Sequence, residues 1–114
     1  MERPSIRTAI PQRRYQYGEY IVSVLGEIES SDPPNYQYIL AAVKEGETEP
    51  EVYVTCERTR RGDHDYRVRL IMEGLKDTMG ESDELGSLDV FCETALQVVA
   101  SALNLGDAQP LRLG

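Results

Sequence analysis

Apolar and polar positions divide the chain into four strand-like runs followed by one helix-like run. Ser87 to Leu105, SLDVFCETALQVVASALNL, places Leu88, Phe91, Cys92, Ala95, Leu96, Val99, Ala102 and Leu103 within an arc of about 140° at helical spacing. Asp89, Glu93, Gln97, Ser101 and Asn104 fall on the opposite side, the pattern of a helix half sunk in a core. Ser87 is the expected N-cap, because its hydroxyl can accept from a free N–H of the first turn. Asp89 and Glu93 suit the positive end of the helix dipole. Gly106 is the expected left-handed residue that ends the helix.

The runs before it alternate with period two, as strands do. In Arg14–Glu29, Tyr20, Val22, Val24 and Ile28 share one parity and Tyr15, Tyr17, Ile21 and Leu25 the other, with Gly18 or Gly26 expected to mark a bulge. Tyr36–Lys44 sets Ile39, Ala41 and Val43 against Tyr36, Tyr38 and Leu40. Glu51–Arg58 sets Val52, Val54 and Cys56 against Tyr53, Thr55 and Glu57, and Tyr66–Glu73 sets Tyr66, Val68, Leu70 and Met72 against Arg67, Arg69 and Ile71. Turn-forming residues at 30–35, 45–50 and 59–65 separate these runs, the last around Gly62. Residues 75–86 read as a polar connection to the helix.

This predicts an α+β fold: a four-stranded antiparallel meander, ββββα, with one C-terminal helix packed on one sheet face. The expected division is a flexible or docking N-terminal arm at 1–13, a single domain at 14–106 and a short tail at 107–114. The helix is expected to cover the aliphatic face built from Val22, Val24, Ile39, Ala41, Val43, Val52, Val54, Cys56, Val68, Leu70 and Met72. The other face then carries Tyr15, Tyr17, Ile21, Leu25, Tyr36, Tyr38, Leu40 and Tyr53, flanked by Arg67 and Arg69. A monomer seldom leaves so large an apolar patch bare. Val90 and Val98 lie outside the apolar arc of the helix, so one helix flank is also expected to meet a partner.

Composition narrows the function classes. With 40% hydrophobic and 28% charged residues, the 114-residue chain is ordinary for one globular domain. It has no apolar run of membrane-spanning length and no secretory leader pattern, so a cytoplasmic setting is the expectation. The net charge is −8, yet residues 1–14 and 58–69 each carry +3, leaving −14 for the rest. An acidic body argues against general nucleic-acid binding while allowing a local basic patch. Cys56 and Cys92 fall on the expected core faces and are read as buried, reduced thiols.

Candidate chemistry is sparse. Asp63-His64-Asp65 holds the single histidine, but adjacent hairpin residues rarely converge, and solvated turn residues are the expectation. The glycines lack the spacing of a nucleotide loop, and no serine sits in a nucleophile elbow. No catalytic or metal-binding constellation and no cofactor are predicted. The sequence-based reading is a protein-interaction or assembly module, a homodimer or a complex with another protein through the tyrosine-rich face. The alternative is a single-stranded nucleic-acid or small-ligand binder using the same face with Arg67 and Arg69.

Overall fold

The structure, a computed structural model, describes residues 4, 6–30, 35–59 and 64–114. The turn residues 31–34 and 60–63, and Asp63 of the histidine motif with them, lie outside the described residues. Six long strands run in a meander: β1 (Thr8–Tyr17), β2 (Tyr20–Glu29), β3 (Asn35–Lys44), β4 (Val52–Arg58), β5 (Tyr66–Met72) and β6 (Leu75–Ser82). A 3-10 turn at Glu84–Gly86 leads into α1 (Leu88–Ala102), and β7 (Leu111–Arg112) follows. All strands join one antiparallel sheet in the order β6-β5-β4-β3-β2-β1-β7. The expected four-stranded meander is thus corrected to a seven-stranded sheet with one helix.

Two turns account for the extra long strands. What reads as one long strand at Arg14–Glu29 is a hairpin that reverses at Gly18–Glu19, with Gly18 at φ 57 and Tyr17 paired to Tyr20. A positive φ at the first turn residue alone is the hairpin geometry that glycine favours. Residues 8–13 of the expected arm form the first part of β1, which pairs with β2 through register shifts near Ile10 and Gln12. The second turn is Glu73–Gly74, with Gly74 at φ 75 and Met72 paired to Leu75. The polar connection expected at 75–86 therefore contains β6, an edge strand exposed along nearly its whole length. Charges such as Lys76, Asp77 and Glu81 suit an edge that must not pair indiscriminately.

The helix forms where its periodicity predicts. Ser87 caps it by accepting from the Val90 N–H at 3.5 Å. Arg13 of β1 ion-pairs with Asp89 in the first turn, tying the far side of the sheet to the helix start. That pairing raises the arginine pKa further above its ordinary value. The helix ends differently from expectation: Asn104, not Gly106, takes the left-handed conformation at φ 56. The Leu105 N–H then bonds back to the Ala100 carbonyl at 2.9 Å. This is a Schellman ending, in which asparagine is the second choice after glycine. It turns Leu105 back onto the core.

Under α1 lies a continuous core in which Phe91, Cys92, Ala95 and Val99 meet Tyr15, Tyr17, Val22, Val24, Leu40, Ala42, Val52, Val54, Cys56, Val68 and Leu70. Tyr38 stacks on Phe91 with ring centroids 5.3 Å apart and planes at 24°. Its hydroxyl donates to the Gly86 carbonyl at 3.0 Å, just before the helix begins. Both cysteines are free and buried. Burial, reinforced by Glu57 and opposed by Arg58, pushes the Cys56 thiol up to about 12. At pH 8 the thiolate that alkylation requires is therefore almost absent. Iodoacetamide is expected to leave Cys56 unmodified over minutes in native buffer and to label it promptly in urea. Prompt native labelling, followed by mass spectrometry, would contradict this packing. Among the described residues, no helix is long and apolar enough to cross a membrane.

Candidate functional site

Residues paired across antiparallel strands share a face, so the register assigns every side chain of the sheet to one side. On the side away from α1, one row runs Arg14–Ser23–Ala41–Tyr53–Ile71–Lys76. A second runs Pro11–Leu25–Ile39–Thr55–Arg69–Thr78. Shorter rows place Gln16, Ile21 and Val43 together, and Tyr36, Glu57, Arg67 and Glu81 together. No helix and no second sheet covers this open face among the described residues.

Six of the ten residues predicted for the interaction face lie there: Ile21, Leu25, Tyr36, Tyr53, Arg67 and Arg69. The other four, Tyr15, Tyr17, Tyr38 and Leu40, lie on the helix side and pack against its core. Two physical effects cause the exchange. The Gly18 hairpin sets Tyr15 opposite Val22, so the two residues share a face despite opposite parity in sequence. In β3 an irregularity between Tyr36 and Tyr38 shifts the phase, leaving Tyr36 opposite Glu57 and Tyr38 opposite Cys56. Ile39, Ala41 and Val43, expected beneath the helix, consequently line the open face.

Toward one end of that face lies an ionic cluster that sequence reasoning did not single out. Glu57 is 1% exposed. Its Oε1 accepts from Arg67 Nη2 at 2.9 Å and from Arg69 Nη1 at 3.5 Å, and its Oε2 accepts from the Thr55 hydroxyl at 2.9 Å. Burying a carboxylate costs several kcal/mol unless charges and donors surround it, and here two cations and a hydroxyl do so. The signal was present in the alternation: Thr55 and Glu57 on one strand face Arg69 and Arg67 on its hairpin partner, and opposite charges across a ladder attract. The arginine stems lie over the face, and beside them Ile39 and Ile71 are only 1% and 2% exposed. The Nε–H groups of Arg67 and Arg69 are shut off from solvent and find no acceptor among the described residues.

Two grooves lie elsewhere on the sheet. A groove of about 780 Å³ at one end of the sheet is lined by Ile10, Gly26, Glu27, Glu29, Tyr36 and Arg58, with Glu27 strained at φ 45. It brings together no nucleophile and base among the described residues. A smaller groove of about 230 Å³ lies between β6 and α1, where Val90, Thr94 and Val98 face Val68, Met79 and Leu85. The helix flank expected to meet a partner thus borders the chain's own edge strand. His64 sits on the surface with Nδ1 3.6 Å from Asp83 Oδ1, and the Asp65 N–H donates to the same carboxylate at 2.7 Å. Among the described residues no three His, Cys, Asp or Glu side chains converge as metal ligands. Comparison with protein-family models, with curated proteins and with solved structures returns no match.

Proposed function

We propose that the protein is an interaction and assembly module that self-associates through the open face of its sheet. The observation that carries this reading is the breadth of sheet left without a second layer: half-buried Ile21, Leu25, Ala41, Val43 and Tyr53 spread over β2 to β4, around the buried Ile39 and Ile71. Seven strands at about 4.8 Å spacing and roughly seven residues in length give a face of about 29 by 23 Å. That is about 670 Å², within the range of roughly 600–1,000 Å² per partner of a standard interface. Its tyrosine, arginine and aliphatic composition is that of interface centres. Two sheets can meet face to face at about 10 Å.

The charges permit a second copy as the occupant. Arg67 and Arg69 are matched by Glu57 and Glu81, so this part of the face meets its like without net repulsion. Lys76 stands on the edge strand β6 and Arg14 on β1 beside β7, both exposed so that their charged ends reach water.

Light scattering tests the reading. Wild-type protein at tens of micromolar is expected to show twice the 12.8 kDa chain mass. Tyr53→Glu, which adds a charge to the half-buried centre of the face, is expected to give the single-chain mass with little change in melting temperature. A wild type that stays monomeric removes the proposal. Tyr53 beside Arg69 also favours a second reading, stacking of single-stranded bases with phosphates on the arginines. Binding of labelled oligothymidylate that weakens steeply with salt would support that reading instead.

A further inference from the structure

We infer that β7 is part of this surface: its leucines extend the open face and dock against a second copy of the chain. The inference rests on the open-face reading above. After α1 the chain lays Leu111 opposite Gln16 and Arg112 opposite Tyr15 along the outer edge of β1. Leu113 continues the register, its N–H donating to the Arg14 carbonyl at 2.8 Å, while the Arg14 N–H donates to the Gly114 carbonyl at 3.2 Å. Gln16 and Arg14 belong to the open face, so strand alternation turns Leu111 and Leu113 to that side and Arg112 toward the helix side.

This strand is inverted relative to what burial within one chain would select. Its leucines are 63% and 49% exposed, and neither joins the core beneath the helix. Leu111 extends the row of Ile21 and Val43, and Leu113 extends the row of Ser23, Ala41 and Tyr53. Gln16 and Arg14 of β1 stand between the leucines and those rows, so the leucines form an apolar outer margin of the same face. A second copy is the occupant because Arg67 and Arg69 are balanced by Glu57 and Glu81 and the face, β7 already counted, has an area of about 670 Å², within the range of roughly 600–1,000 Å² per partner of a standard interface. In a twofold dimer each leucine also counts twice.

The test is sedimentation equilibrium on the full chain carrying Leu111→Ser and Leu113→Ser together. Both side chains face water in the single chain, so the melting temperature is expected to hold. The dimer dissociation constant is expected to rise by at least about 100-fold. Should the double variant melt early, Leu113→Gln alone keeps Leu111 on β1 and is expected to weaken the dimer about tenfold. Leu75→Ser, at an exposed edge position on the helix side, should leave association unchanged. An unaltered dissociation constant for the leucine variants, with Tyr53→Glu still dissociating the dimer, would overturn the role of β7 and leave the open-face reading standing. A monomeric wild type would overturn both.

Discussion

Tyr38→Ser is expected to cost about 4 kcal/mol of folding stability, seen as a large drop in the urea midpoint. The ring stacks on Phe91 at 5.3 Å, and the hydroxyl holds the Gly86 carbonyl at 3.0 Å. Serine removes the aromatic contact, opens a cavity beneath the helix and leaves that carbonyl without its side-chain donor. Removing a core aromatic costs about 3–5 kcal/mol and one hydrogen bond about 1 kcal/mol, the terms overlapping in part. Against a typical domain stability of about 5–15 kcal/mol, the loss should leave the chain close to its unfolding threshold. Tyr53→Ser, on the open face, is expected to cost less than about 1 kcal/mol. The sequence pattern assigns the two tyrosines to one face; equal melts for the two variants would contradict their separation by the sheet.

Glu57→Ala is expected to destabilise by about 3 kcal/mol, because it leaves two arginines facing each other over a buried site without their shared carboxylate. Partial exposure of the arginines, 34% for Arg67 and 20% for Arg69, lets them swing toward water and limits the loss. Replacing the whole cluster, with Glu57→Leu, Arg67→Met and Arg69→Met, should return stability to within about 1 kcal/mol of wild type. The contrast isolates the cause: the cost lies in breaking the ion cluster, and similar-sized apolar side chains can stand in for it. A triple variant as unstable as Glu57→Ala would show that the cluster does more than satisfy itself. The readout is chemical denaturation of each variant, with the slope checked for constancy.

The helix was the most legible element because fifteen residues repeat one pattern and Ser87 carries the capping hydroxyl. Strands β4 and β5 were legible for a related reason: their faces differ in polarity, so parity alone orients them. Strand β3 was not, since Ile39 and Leu40 are both apolar and parity carries no information when both faces are. A phase shift at Gln37 then separates Tyr36 from Tyr38, and a shift of that kind is invisible in the spacing of the two rings. Strand β6 escaped notice because Lys76, Asp77, Gly80 and Glu81 are edge residues without an apolar side. Asn104 ends the helix two residues before the glycine that pattern rules favour, and the hydrogen bond from Leu105 shows why: the next leucine is drawn onto the core. Of the candidate face, the arginines and Tyr53 were legible from cross-strand alternation. The leucines of β7 were not, because two residues carry no period.

Self-association through the open face is tested most directly by methyl NMR with a soluble gadolinium chelate, at protein concentrations where the chain is associated. The methyl groups of Ile21, Leu25 and Val43 should be shielded from paramagnetic broadening, while Leu75, 44% exposed on the helix side, broadens strongly. Broadening of the Ile21 and Leu25 methyls to the same degree as Leu75 would show that water reaches the open face freely, and would contradict the proposal.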